Sequence, residues 1–441
     1  MVTGVDLVEW QLRVAAGEPL PLKQEELTLA GHSFEARVYA ERPEAGFLPG
    51  SGTLHHLRTP AEYGDTYVPA ETRAGVAGHA VRLDVGVVEG DEISVFYDPM
   101  VAKLIVRGPD RPSALQLLRK ALSEWQTVGL PTNVPFLRRV CDTDAFANAE
   151  VHTAFIDEHK DVLLPDAPPP PSAHALQLTA LVWLAQQAES LAAALPSNSP
   201  WAANPFVRLT GGVCGGAGFP LKLQPLGFDG EPSGDGSFLS VERVDAGEPG
   251  SAGASPSVGT YAMTLTSATE GAPAAEGSST VSLLRWDAAS RTFAALVDGK
   301  HVSGHAMLTP AEADAPLEVV GTTVDLFGGE SSARVLVSDV AQQARQRLSA
   351  VASGASAVAT AVTSPMPGKI VRVLVAAGQP VAAGEALIVL EAMKMEHTMK
   401  APADAVVAGV HAKEGDVVGN KALLLSFETP PEASTEAASA A

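Results

Sequence analysis

A single lysine, Lys394, stands between two methionines near the end of the chain, in the stretch EAMKMEH. The chain holds only 8 methionines, and methionine is a soft residue that fills irregular apolar surface. Met393 and Met395 therefore frame the amine as a presented group, which suits covalent modification by another enzyme. The alternative is an ordinary lysine on the solvated face of a strand.

A second candidate group is Arg37, in the stretch HSFEARVYAE from His32 to Glu41. Apolar and charged residues alternate there, so the pattern predicts a strand with Arg37 on its polar face. Taken alone, such a face is a solvated strand face rather than a site.

Two other patterns do not complete a site. His55–His56 and the His301/His305 pair lack a third ligand and a helical context, so no metal site is predicted. The glycine-rich GGVCGGAG, residues 211–218, lacks the following lysine and serine or threonine of a phosphate-binding loop.

The elements that position Lys394 form two copies of one pattern. One copy begins at Gly368 (GKIVRVLVAAGQPVAAGEALIVLEA) and the other at Val406 (VVAGVHAKEGDVVGNKALLLSFE). Each alternates apolar and polar residues, breaks at a glycine turn and resumes as an apolar run, which predicts strands and hairpins. Neither copy buries a face alone, so we expect one flattened barrel with Lys394 on the hairpin between the copies.

Other elements follow from periodicity and capping. The stretch RPSALQLLRKALSEW, ending at Trp125, has apolar residues at helical spacing, and a second helix is predicted from about Ala173. Strand-like runs then follow: TYAMTLTSA, TVSLLRWDA, TFAALVDGK and LEVVGTTVDLF. Near the N-terminus, Thr3 and Asp6 have the spacing of a capping box for a helix that stops at Gly17.

Composition narrows the class of protein. A chain of 441 residues should hold roughly two to four domains. Its 30 basic and 51 acidic residues give a net charge of −21, which argues against nucleic acid and anionic membrane as partners. No apolar run reaches the length of a membrane span. Cys141 and Cys214 predict no disulfide framework and fit a reducing compartment.

Composition also divides the chain into three bodies. The proline-rich LLPDAPPPPS closes the first, and a small, uncharged segment separates the second from the third. The predicted domains are 1–162, 172–346 and 362–428, with a flexible linker at 347–361 and a disordered tail at 429–441.

The third body resembles the biotinyl carrier domain of biotin-dependent carboxylases, through PMPGKI (Pro365 to Ile370) followed by AMKM. The resemblance implies that Lys394 carries biotin through an amide bond, with Met393 and Met395 as part of the attachment motif. It also implies a biotin protein ligase as a partner. Lipoyl domains share the fold but lack methionines on both sides of the lysine.

The first body resembles the C-terminal portion of a biotin carboxylase domain. TGVDLVEWQLRVAAGE, GHSFEARVYAE, FLPGSGTL, FYDPMVAKL and VGLPTN match in order. The resemblance implies that Arg37 meets the ureido ring of biotin as negative charge develops there. It places Leu130 against adenine and Arg82 at a self-association contact.

ATP and Mg²⁺ or Mn²⁺ are implied for the full-length enzyme. The family's phosphate-covering loop, metal-holding glutamates and base precede the segment where this chain begins. We therefore expect the C-terminal portion of a larger catalytic subunit.

VHTAFI, LVEWQLRVAAGE and MEHT resemble the biotin-bearing α subunits of acyl-CoA carboxylases, of the 3-methylcrotonyl-CoA type. The middle body resembles the β-barrel-with-helix domain that docks to a carboxyltransferase (β) subunit. The resemblance implies a multidomain α+β fold, a role in leucine degradation and a mitochondrial matrix location.

Alternatives stay open. One is the α subunit of geranyl-CoA or propionyl-CoA carboxylase. The other is a non-catalytic biotin carrier and docking module in which Arg37 is idle. Pyruvate carboxylase is disfavoured, because residues 172–346 are too few to hold a TIM barrel.

Overall fold

The computed structural model describes most of each body. The described residues are 1–62, 79–94, 97–194, 219–228, 230–233, 236–244, 259–267, 277–310, 321–328, 332–340, 361–364, 368–382, 384–392, 395–401, 405–419 and 422–427. Cys214, the GGVCGGAG stretch and the predicted tail at 429–441 lie outside them. So does the predicted linker, except for its last residue, Ala361, with which a strand begins.

The first body is built on a three-stranded antiparallel sheet in the order β1-β8-β6. Its strands are β1 (His32–Tyr39), β2 (Glu41–Arg42), β3 (Leu48–Pro49), β4 (Gly52–Thr53), β5 (His56–Arg58), β6 (Ala80–Val85), β7 (Glu92–Ile93), β8 (Met100–Gly108) and β9 (Gln126–Val128). Its helices are α1 (Leu7–Ala15), α2 (Arg111–Glu124), α3 (Val134–Asp142), α4 (Asp144–Ala147), α5 (Phe155–Glu158) and α6 (Lys160–Leu163). The short strands pair as β2-β3, β4-β7 and β5-β9.

Alternation along β1 decides which face of this sheet is buried. Ala36 and Val38 are buried, whereas Glu35 and Arg37 point to the other face, as the period-two pattern predicts. α2 covers the buried face with Leu115, Leu118 and Leu122, and Asp110 caps its N-terminus by accepting from the Ser113 amide. Both predictions are thus confirmed.

The prediction for the N-terminal cap was wrong. Asp6, not Thr3, is the N-cap of α1, and its carboxylate accepts hydrogen bonds from the amides of Val8 and Glu9. A carboxylate directly before the first turn reaches these unpaired amides, so the helix starts at Leu7 and needs no cap further upstream.

The second body is a closed barrel of eight antiparallel strands, in which the last strand pairs with the first. The long helix α7 (Ala173–Ala194) precedes the strands β10 (Phe219–Pro225), β11 (Ser237–Arg243), β12 (Gly259–Ser267), β13 (Gly277–Asp287), β14 (Thr292–Val297), β15 (Lys300–Pro310), β16 (Thr322–Phe327) and β17 (Ala333–Asp339). The four runs singled out above fall on β12, β13, β14 and β16. The other four strands were not singled out.

The helix packs against the inner wall of this barrel. Every residue from Ala175 to Ala185 is buried, including the polar Gln177 and Thr179, which fits a helix with apolar residues on all its sides. The barrel supplies alternate residues of its strands to the same core, for example Tyr261, Met263 and Leu265 of β12. Among the helices of the described residues, none combines the length and apolarity of a membrane-crossing segment.

The third body contains two four-stranded sheets that exchange a strand. The strands are β18 (Ala361–Thr363), β19 (Gly368–Val373), β20 (Pro380–Val381), β21 (Ala386–Ala392), β22 (Met395–Lys400), β23 (Ala405–Val410), β24 (Val417–Val418) and β25 (Leu423–Phe427). One sheet has the order β18-β25-β23-β20 and the other β22-β21-β19-β24. Each sequence copy thus lends its short middle strand to the other copy's sheet. The predicted repeat is confirmed.

The first body and the barrel touch through a group of polar side chains, which we call the interbody cluster: His56, Arg58, Glu89, Arg291 and His305. Arg291 Nη1 lies 2.9 Å from Glu89 Oε1 and 2.9 Å from His56 Nδ1. Arg58 donates to the ring of His305. The hairpin between β13 and β14, which ends in Arg291, therefore lies against the first body.

Candidate functional site

Lys394 lies in the sequence between β21 and β22, which pair with each other as the two strands of a hairpin. Their register runs from Ala386↔Lys400 to Ala392↔Met395, so Met393 and Lys394 are the two residues between directly paired strand ends. Met393 and Lys394 lie outside the described residues, and of Met395 only the backbone is described.

The root of this hairpin is rigidly anchored. Leu387, Ile388, Val389 and Leu390 on β21 are between 0% and 3% exposed, and β19 pairs with the other edge of β21. β21 is therefore a buried strand that is paired on both edges, and such a strand is a suitable support for a group that another protein has to reach.

Arg37 stands on the solvent face of the first body's sheet. It pairs with Lys103 on β8, which in turn pairs with Asp84 on β6, so the three form one row across the sheet. The Arg37 side chain is 62% exposed, and its Nε donates to Glu35 Oε1 at 3.4 Å. Hydrogen bonds with Tyr39 and Glu35 raise the pKa of the guanidinium, so it stays charged.

The neighbouring cations of that face are already paired. Asp84 accepts from Arg82 Nε at 2.8 Å and lies 3.1 Å from Lys103 Nζ. The hydrogen bond from Arg82, followed by that from Lys103, lowers the pKa of Asp84 against the opposing effect of burial. Arg37, whose contact with Glu35 is longer, is the guanidinium better placed to donate to an incoming negative group.

Leu130 lies in the core of the first body. It is 6% exposed and packs with the residues between β1, β8 and α2. Its predicted contact with adenine remains a prediction. Arg82, predicted at a self-association contact, is half exposed and bound to Asp84.

The histidine pairs are not brought together as metal ligands. His56 is buried between Gln126, 3.2 Å from its Nε2, and Glu89, 3.0 Å from its Nδ1. Within the described ranges, no group of three or more His, Cys, Asp and Glu side chains is placed to hold a metal ion. Cys141 is buried, and burial raises the pKa of its thiol to about 11, which keeps it protonated and unreactive.

Sequence reasoning missed Asn133. This residue precedes α3, where an asparagine usually caps the helix, yet its side chain makes no cap. It bonds instead to the backbone of Tyr39 and Arg37 and to the Glu41 carboxylate. The only signal in the sequence is its place in VGLPTN, which shares no local pattern with β1.

Comparison with known proteins matches the two bodies that carry Arg37 and Lys394. The family model "Biotin carboxylase C-terminal domain" matches residues 35–158, and "Biotin-requiring enzyme" matches residues 360–427. The barrel lies between the two matched ranges.

Similar proteins extend over nearly the whole chain. It is 33% identical to the mitochondrial methylcrotonoyl-CoA carboxylase subunit alpha of Dictyostelium discoideum, over 96% of this chain and 52% of that protein. The counterpart of Rattus norvegicus is 34% identical over 97% of this chain and 51% of its own length. The propionyl-CoA carboxylase alpha chain of Ruegeria pomeroyi is 30% identical over 97% and 56%. The chain thus spans about half the length of the curated relatives it matches.

Proposed function

From the premise that this chain belongs to the biotin-dependent acyl-CoA carboxylase α subunits, we propose that it carries CO₂ on a biotin joined to Lys394. The biotin is loaded at an ATP- and bicarbonate-dependent carboxylase site to which Arg37 belongs. It is unloaded at a carboxyltransferase (β) subunit.

The observation that carries the proposal for Lys394 is the register of its hairpin. With Ala392 paired to Met395, the AMKM motif spans one two-residue connection on a buried strand. The residues fit biotin, because a lysine amine at that connection forms an amide with the biotin carboxyl group. Biotin supplies a ureido nitrogen that carries the carboxyl group.

For Arg37 the proposal rests on its charge and its support. The guanidinium donates to the ureido oxygen as that oxygen takes on negative charge, and a charged donor of fixed shape stabilises such developing charge. The sheet beneath it holds the backbone in one place, so the donor needs little reorganisation during the reaction.

The acyl substrate is proposed as 3-methylcrotonoyl-CoA, in leucine degradation, because the Dictyostelium and rat relatives bear that name. Propionyl-CoA and geranyl-CoA are the alternative substrates, and a propionyl-CoA carboxylase chain is 30% identical. The mitochondrial matrix is the proposed location for the same reason. The further proposed partners are a biotin protein ligase and a second copy of the chain near Arg82, and the barrel is the proposed docking domain.

Biotinylation in cells that express a biotin protein ligase tests the site. Lys394→Arg should fold with the same thermal transition and carry no biotin, because a guanidinium stays protonated and cannot attack biotinyl-adenylate. Lys400→Arg, at the far end of β22, is the matched control and should accept one biotin per chain. Intact-mass measurement and a streptavidin blot read both variants. Biotin on the Lys394→Arg chain would contradict the site.

A further inference from the structure

β1, which carries Arg37, is an edge strand. Within the described ranges it pairs with β8 alone, in the sheet order β1-β8-β6. An edge strand leaves backbone amides and carbonyls unpaired on its outer side, and those groups are free to move unless something else binds them.

Asn133 binds these outer groups. Its Oδ1 accepts from the Tyr39 amide at 3.0 Å, and its Nδ2 donates to the Arg37 carbonyl at 3.1 Å. Its own backbone amide donates to the Tyr39 carbonyl at 3.1 Å. Asn133 therefore takes the place of a neighbouring strand along the part of β1 from Arg37 to Tyr39.

The same side chain holds a carboxylate. Asn133 Nδ2 also donates to Glu41 Oε1 at 3.1 Å. Asn133 is 5% exposed, so these hydrogen bonds form away from water and are individually stronger than surface ones.

The position of these bonds in the strand is the decisive point. The ladder between β1 and β8 is regular through Val38↔Ala102 and then shifts register at Tyr39. The extra residue is Val101 on β8, so the pairing with β8 is interrupted close to Arg37. Asn133 bonds to β1 residues on both sides of this interruption and thereby holds β1 where its pairing with β8 is irregular.

We propose that Asn133 is the positioning residue for Arg37: by holding the backbone at Arg37 and Tyr39 and the Glu41 carboxylate, it sets where the guanidinium stands. The inference rests on the proposed role of Arg37 in biotin carboxylation. Asn133 itself does not touch the reacting atoms.

The test uses the assembled carboxylase that contains the complete subunit, with free biotin as acceptor. Biotin-dependent ATP cleavage is measured for Asn133→Ala, Arg37→Ala and the double variant. We expect Arg37→Ala to lose on the order of 10²-fold in kcat. Asn133→Ala should lose on the order of 10-fold, because the donor is present but displaced. The double variant should match Arg37→Ala within about twofold, because Asn133 acts through Arg37.

Two further variants separate positioning from loss of stability. Val106→Ala removes a buried side chain at the other end of the same sheet and should lower the thermal midpoint without lowering kcat. Asn133→Asp has the same shape and keeps the acceptor for Tyr39, but it loses the donor to Arg37. It should show the same non-additivity with Arg37→Ala if Asn133→Ala does not fold.

The outcomes distinguish the two proposals. If Arg37→Ala stays within twofold of the parent, the proposed role of Arg37 fails. The positioning role is overturned if Arg37→Ala lowers kcat strongly and Asn133→Ala lowers kcat of the Arg37→Ala enzyme by the same further factor. It is also overturned if Asn133→Ala lowers kcat no more than Val106→Ala does.

Discussion

Asp325 is buried although it lies on the side of β16 that faces away from the barrel core. Val324 and Leu326 face the barrel core, so Asp325 points outward, yet it is only 6% exposed. Its Oδ1 lies 3.0 Å from Arg334 Nε in an ion pair, and its Oδ2 has no hydrogen-bond partner among the residues that the structure describes. Burial raises its pKa to about 6, against the opposing effect of Arg334.

The shifted pKa of Asp325 predicts a pH-dependent stability. Because its folded pKa lies above the unfolded one, the ionised form of Asp325 is disfavoured in the native state. The contribution of Asp325 to the free energy of unfolding therefore rises as the pH falls from 7 towards 4. Asp325→Asn should therefore stabilise the protein at pH 7.5 by about 1–3 kcal/mol and by much less at pH 4. Thermal midpoints at the two pH values measure this.

Asp287 provides a control of opposite sign. It accepts hydrogen bonds from Ser290 and Ala289, and these lower its pKa. Asp287→Asn should therefore destabilise the protein at pH 7.5, with the difference shrinking as the pH falls. An Asp325→Asn chain that melts lower than the parent by the same amount at both pH values would contradict the prediction.

At the scale of the element, the loop from β9 to α3 positions Asn133. It begins at Gly129, whose φ is +113°, and a Cβ there would collide with the backbone oxygen of Thr53. The loop therefore lies directly against β4. Only a glycine allows this approach, which brings the start of α3 to the edge of β1.

Gly129→Ala should destabilise the first body by about 3 kcal/mol or more, because strain in the left-handed region adds to a backbone clash. Gly90→Ala is the matched control: its φ is +98°, and a Cβ there meets nothing within 4 Å. That variant should lose only about 1–2 kcal/mol. Denaturant midpoints at constant m-value give both numbers, and equal losses would show that the close approach does not matter.

At the scale of the whole molecule, the interbody cluster joins the candidate carboxylase body to the barrel. Glu89 connects them: hydrogen bonds from the Leu57 amide, His56 and Arg291 outweigh burial and lower its pKa. Arg291 has a φ of 56°, which is uncommon for a residue with a side chain. A strained arginine at a hairpin end is consistent with a contact that the rest of the fold maintains.

A double-mutant cycle on Glu89→Ala and Arg291→Ala should give a coupling of about 0.5–1 kcal/mol, since both side chains are partly exposed. The coupling should shrink in high salt. The pair Lys120 and Glu124, 3.8 Å apart on the surface of α2, is the control and should couple by less. Zero coupling between Glu89 and Arg291 would mean that the two bodies are not held by this contact.

The sequence by itself determined much of the fold, because many helices and strands depend only on the local periodicity of apolar residues. Alternation predicted β1 and the face on which Arg37 lies, and helical spacing predicted α2. A long apolar stretch predicted α7, and the repeated pattern predicted the strands on both sides of Lys394. Half of the barrel strands were not singled out from the sequence.

Only the tertiary structure decided what meets across long stretches of chain. Asn133 and Arg37 are 96 residues apart, and Arg291 and Glu89 are 202 apart. Asp325 has the local pattern of an exposed strand residue, and only its surroundings bury it. A period of two or 3.6 residues states which way a side chain points but not what it will contact, because that contact depends on how whole elements pack.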